Sequence, residues 1–159
     1  MAETIATTLE ALRGFLQSQG LVVNGGASDE ETGEFERRYG VQLPDEVRAY
    51  FGRINGVVGG HDGAWDDEMI ALWELRDVRP LAEEVENCEV RSAEEYFVFA
   101  DWSIWAHGYA IRLSGMQEKA PVFIVAKAHV ERVANSLEEF LRGYIRRDPR
   151  VLYGVPLAR

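Results

Sequence analysis

Along the chain, the spacing of apolar residues changes twice. From the start to about residue 56 they recur every three or four positions, the rhythm of helices with one buried face. Ile5, Leu9, Leu12 and Leu16, with Phe15 beside them, predict a first helix that stops near Gly20. A brief apolar run, Leu21-Val22-Val23, leads into the turn Asn24-Gly25-Gly26. Ser28 and Glu31 stand at capping-box spacing, so a second helix is expected to run through Phe35 to about Tyr39, with Gly40 as its cap. In the third, Pro44 suits the first helical position, Asp45 and Glu46 complement the helix dipole, and Val47, Tyr50, Phe51 and Ile54 form the apolar face. Asn55-Gly56 supplies the stop, because both residues tolerate a left-handed backbone.

From Gly56 to Asp67 the chain is glycine-rich and aperiodic, which predicts a loop. Met69 to Trp73 reads as a strand. Glu74 to Val85 mixes helical spacing with Pro80, which interrupts it. Glu83 to Glu95 is acid-rich and is expected to be a helix end followed by an exposed turn. Short apolar blocks then predict strands at 96–101, 109–113 and 121–126, with a weaker one at 129–133. The third of these is nearly all apolar and so belongs inside the sheet, and the short links favour antiparallel pairing. Ser136 with Glu139 opens a last amphipathic helix carrying Leu137, Phe140, Leu141, Tyr144 and Ile145, ended by Asp148-Pro149. Helices, strands and a closing helix make an α+β fold, a mostly antiparallel sheet with helices packed against it. The expected organisation is one folded unit: an N-terminal helix and turn over 1–27, a core over 28–148 and a C-terminal tail over 149–159.

Leu43, Pro44, Val47, Tyr50, Phe51, Asn55 and Gly56 together form a pattern that resembles the SMI1/KNR4 family of the SUKH superfamily. The run Phe99-Ala100-Asp101-Trp102 looks like a second family motif. Ile124-Val125-Ala126, followed by Asn135-Ser136-Leu137 and Phe140-Leu141, is similar to the family's closing strand and helix. The similarity spans roughly Ser28 to Ile145. It implies the same α+β architecture, and it implies that Leu43, Pro44, Asn55, Gly56, Asp101, Trp102 and Phe140 hold the fold together. The acidic segment and the glycine-rich loop depart from the motifs.

Composition narrows the partners. Among 159 residues, 27 acidic against 17 basic ones give a net charge of −10. That repels nucleic-acid backbones and anionic membranes and suits a basic protein partner. Cys88 is the single cysteine, which rules out an intrachain disulfide and a cysteine-based zinc site. The N-terminal stretch has no basic, apolar leader pattern, and no stretch approaches a membrane span, so a cytoplasmic protein is expected.

Catalytic patterns are missing from the sequence. The glycines at 56–60 lack the lysine of a phosphate loop, no G-x-S-x-G elbow occurs, and His61, His107 and His129 lie far apart. Carboxylates near His61 could suit a hard cation, but the calcium-loop spacing is absent and the segment reads as a solvated acidic loop. Neither metal nor cofactor is expected, and the protein is not expected to be an enzyme.

The resemblance implies a role for the charge, since many bacterial SUKH proteins look like immunity proteins that bind and block a cognate toxin domain, often a nuclease or deaminase. The expected binding face comprises Asp62, Asp66, Asp67, Glu68, Glu83, Glu84, Glu86, Glu89, Glu94 and Glu95, with Trp65 as the apolar anchor. The alternative is a regulatory or scaffold protein of the same family with another protein partner. The oligomeric state stays open, with a monomer the simpler expectation.

Overall fold

The computed structural model describes residues 4–115 and 117–154. Of the expected C-terminal tail, residues 155–159 lie outside that range. Helix α1 spans Ile5–Ser18, α2 Asp29–Tyr39 and α3 Asp45–Arg53. Their starts and stops follow from local chemistry. Thr4 caps α1 by accepting from the Thr7 amide. Ser28 and Glu31 make both bonds of the capping box, and Gly40 closes α2 at φ +65°. Pro44 sits one place earlier than expected, as the extended cap preceding α3 rather than its first residue.

Strands β1 (Ile70–Leu72), β2 (Arg79–Pro80), β3 (Tyr96–Trp102), β4 (His107–Arg112), β5 (Val122–Ala126) and β6 (His129–Ala134) form one six-stranded antiparallel sheet. The order is β1-β3-β4-β5-β6, and β2 also pairs with β3, so β1 and β2 share one edge of that strand. β5 lies inside the sheet, as its apolar run requires. Helix α5 spans Leu137–Arg146. Its cap differs in one detail from the expected box: Ser136 accepts from Glu139, but the Glu139 carboxylate reaches the amide of Asn135. Pro149 stops nothing by itself. Arg147, at φ +57°, ends α5, and Asp148 then caps a short helix α6 (Pro149–Tyr153) that buries Val151 and Leu152.

Both faces of the sheet are covered. On one, Phe97, Phe99, Tyr109, Ile111 and Ile124 meet α1, α3 and α5 in the main core, which includes Leu12, Val47, Phe51, Phe140 and Tyr144. Phe35 of α2 joins it through rings packed on Phe97. On the other, Tyr96, Val98, Ala110, Phe123 and Val125 are covered by the acidic segment. That segment begins with helix α4 (Leu81–Glu84) and ends in a 3-10 turn over Ala93–Glu95. It is more than an exposed turn: Leu81, Val85, Cys88, Val90 and Ala93 face the sheet, and the Glu89 amide bonds the Lys127 carbonyl. Glu83, Glu86, Glu89 and Glu94 remain on its outer surface.

The register of β3 shifts between Val98 and Ala100, a bulge that leaves Phe99 without a cross-strand partner. Tyr96 and Val98 face the second core, Phe97 and Phe99 the first. The extra residue reverses the alternation after Phe99. Ala100 therefore joins the first core, and Asp101 emerges on the side of Trp73 and Trp105.

Candidate interaction surface

The reversal at the bulge places Asp101 at the floor of a cleft of about 390 Å³. The loop over 61–65, the end of α4, the end of β3 and the turn 103–105 surround it. Asp101 organises this end of the sheet. Its Oδ1 accepts from Trp73 Nε1 at 2.7 Å and its Oδ2 from the Trp105 amide at 3.0 Å. The second bond ties the end of the strand to the turn that follows it. Trp102, on the opposite face, packs half-buried against the main core and stacks on His107 at 4.9 Å.

Ser103, Ile104 and Trp105 all adopt left-handed backbone, with φ of +51°, +54° and +63°. Single left-handed residues are ordinary, but three in succession are not, and β-branched Ile104 is the least suited to it. Bonds from Ser103 N to Met69 O, from Trp105 N to Asp101 and from Ala106 N to Trp102 O hold the turn. The turn directs Ile104 into solvent at 72% exposure and carries Trp105 back toward Glu84, whose Oε1 accepts its Nε1–H at 3.0 Å. Gly108 leaves room for the Trp105 ring, since a Cβ there would lie 3.0 Å from it.

Across the cleft, Trp65 is 39% exposed and its ring lies over Gly63. His61 packs edge-on against buried Trp73 at 4.6 Å, and its Nε2 is 3.8 Å from Glu84. Asp62 is exposed beside it. Three carboxylates, of Asp62, Glu84 and Asp101, thus line a cleft with indole walls, and among the described residues no lysine or arginine lines it.

The structure divides the expected binding face. Asp62 and Trp65 are exposed at the cleft, and Glu83, Glu86, Glu89 and Glu94 are exposed and form no ion pair among the described residues. Glu84 is largely covered, bonded to Trp105 and 3.4 Å from Arg79. Glu95 is paired with Arg112 and Asp67 with Arg147. Glu68 is half-buried. Asp66 is a correction: it points inward, with a fully buried side chain that accepts from Tyr144 and Arg147. A one-dimensional run of acids cannot reveal that one of them turns toward the core. Ile104 and Trp105 are additions, and no periodicity signals them, because the left-handed turn that presents them is anchored to distant residues through the bonds of Ser103 N to Met69 O and of Trp105 Nε1 to Glu84.

The remaining family-motif residues lie within the fold. Leu43 and Pro44 are buried ahead of α3, and Phe140 is fully buried among Phe99, Tyr109 and Tyr144. Asn55, at φ +52°, uses Oδ1 to accept from the Leu75 amide at 2.7 Å. Among the described residues no group of three or more His, Cys, Asp and Glu side chains is placed to hold a metal ion, and no helix is long and apolar enough to cross a membrane.

A comparison with curated proteins finds no match. The family model described as SMI1 / KNR4 family (SUKH-1) matches residues 26–143, a span that holds the sheet, α2, α3 and most of α5. The chain therefore belongs to the SMI1/KNR4 family.

Proposed function

We propose that this protein is an immunity protein, which binds a cognate toxin domain and neutralises it by occluding its active or substrate-binding surface. The observation that carries this reading is the acidic, indole-lined cleft beside a ridge of exposed glutamates that form no ion pair among the described residues. Buried aromatic anchors with charged surroundings are the usual make-up of a high-affinity protein interface. A toxin that grips nucleic acid carries a basic surface, and an acidic inhibitor is steered onto it. Family membership supports a protein partner of this kind. In this reading the chain acts by binding and performs no catalysis of its own, and it works in the cytoplasm where the toxin would otherwise strike.

The test uses the purified chain and the toxin-like domain encoded directly upstream of its gene. Tight binding that weakens as salt rises is the expected result. Replacing Glu83, Glu86 and Glu89 together by lysine should slow association by about tenfold or more at low salt, while dissociation changes little. Association that ignores both salt and these substitutions would remove the glutamate ridge from the interface. Absence of any toxin-like neighbour or binding would overturn the immunity reading itself.

A further inference from the structure

We infer that the cleft between Trp65 and Trp105 is a receptor for one arginine side chain presented by the protein partner. The inference rests on reading this surface as the partner-facing one, and it names the chemistry that would enter it. The cleft's volume of about 390 Å³ falls in the range of small-ligand sites, roughly 300–1,000 Å³. Its charge is negative: Asp62, Glu84 and Asp101 line it, and His61 is the one basic side chain doing so among the described residues. Arg79 touches Glu84 at Oε2 and is not part of the lining. The walls are aromatic, with Trp65 partly open to solvent and Trp105 anchored by Glu84.

Arginine fits this combination better than lysine does. Its planar guanidinium is weakly hydrated, stacks on indole faces and can bond a carboxylate through two N–H groups. The ammonium of lysine is more strongly hydrated and loses more on entering an indole-walled space. Asp62 has acceptor capacity to spare, since among the described residues the basic side chain found within 4 Å of it is His61, at 3.9 Å and beyond hydrogen-bond reach. The strained turn supplies a further reason. Three left-handed residues are costly to hold, and backbone strain of this kind collects at binding sites. Here it fixes Trp105 as one wall and Ile104 as an apolar rim.

The experiment follows the four indole N–H resonances of the ¹⁵N-labelled protein. N-acetyl-arginine amide is the probe, with N-acetyl-lysine amide and the neutral isostere N-acetyl-citrulline amide as controls. The arginine probe should shift the Trp65 and Trp105 signals saturably and leave Trp102 in place. It should bind at least about fivefold more tightly than the lysine probe, and citrulline should give no saturable shift. Asp62→Asn alters an exposed side chain and so spares the fold, and it should weaken the arginine probe by about threefold or more. An arginine probe that shifts neither indole, or that is matched by citrulline, overturns the inference. Because the probe replaces the toxin, its failure alongside salt-dependent toxin binding removes the arginine receptor and leaves the immunity reading standing. Probe binding without any toxin partner does the reverse.

Discussion

The Tyr144 hydroxyl donates to Asp66 Oδ2 at 2.5 Å across 78 positions of sequence, at a site closed to solvent. The guanidinium of Arg147 adds a second contact to the same oxygen at 3.1 Å and lies over the rings of Phe15 and Tyr144. Asp66 Oδ1 takes the amides of Glu68 and Ile70. One carboxylate thus ties the loop before β1 to α5. Burial and then the neighbouring Asp66 charge push the Tyr144 hydroxyl well above its ordinary pKa, so it remains a donor. Burial opposes the charge of Arg147, but Asp66, Tyr144 and Asp67 outweigh it and raise its pKa.

Removing Asp66 takes the acceptor from the buried Tyr144 hydroxyl and leaves Arg147 with Asp67, whereas removing the Tyr144 hydroxyl leaves Asp66 its bonds to Arg147 and two amides. Asp66→Ala should lower unfolding stability by about 3–5 kcal/mol and Tyr144→Phe by about 1–3 kcal/mol. In urea denaturation the double variant should lose less than the sum of the two. An unchanged midpoint for Asp66→Ala would show that this acid faces solvent after all.

Glu46 performs a similar task between two helices. From α3 its Oε2 accepts the amides of Ala120 at 2.8 Å and Leu137 at 2.9 Å, and its Oε1 accepts Glu138 at 3.0 Å. With Ser136 taking the Glu139 amide, the first three amides of α5 are all satisfied from outside the helix. Glu46→Ala should cost about 2–4 kcal/mol and speed hydrogen exchange at Leu137 and Glu138 before other α5 amides. Uniform exchange along α5 would argue against this cap.

Gly56 combines a φ of +68° with a backbone approach that no other residue allows: a Cβ would lie 2.4 Å from the Trp73 carbonyl oxygen. Gly56→Ala should destabilise by about 2–4 kcal/mol, with Gly14→Ala on open helix surface as the neutral or stabilising control. Equal thermal midpoints for the two variants would refute the close approach.

His107 gives stability a pH dependence. Burial pulls its pKa down to about 4 from 6.5, against a partly compensating bond with the Leu152 carbonyl, and His129 lowers it further. Its Nε2 is buried without a hydrogen-bond partner among the described residues. The folded state thus resists protonation while the unfolded chain accepts it. Between pH 6.5 and 4 the unfolded state binds more protons, so stability falls as pH falls through that window and levels off below it. Discounted for partial exposure, the loss is about 1–2 kcal/mol. His107→Asn should flatten the slope between about pH 6.5 and 5, above the range of ordinary carboxylates. An identical slope in urea titrations would assign the dependence elsewhere.

Ile104 offers a test that separates stability from binding. Asparagine accepts left-handed backbone more readily than isoleucine. Ile104→Asn should therefore raise stability by up to about 1 kcal/mol while weakening partner binding, since it removes an apolar side chain from the cleft rim. A variant that binds unchanged would place Ile104 outside the interface.

Much of this was legible before the tertiary structure. The periodicity of Ile5 to Leu16, the capping box of Ser28 and Glu31 and the Asn55-Gly56 stop are local signals, and each marks its element where the chain forms it. Apolar blocks located β1, β3, β4 and β5, because a strand buried on both faces must be apolar throughout, whereas β2 at Arg79–Pro80 carries no such block. The sequence also showed that acidity concentrates around Glu83–Glu95, but only packing decides which side of that segment faces out. Leu81, Val85 and Cys88 keep helical spacing although the helix covers only Leu81–Glu84, Ala93 falls outside that spacing, and all four face the sheet because it offers an uncovered second side. The bulge at Phe99 and the left-handed turn at Ser103–Trp105 depend on partners such as Met69 and Trp73, far off in sequence. The helices, strands and overall charge are thus written in local spacing and composition. The inward turn of Asp66 and the cleft of Trp65, Trp105 and Asp101 exist only once distant segments meet, because bonds between those segments set their geometry.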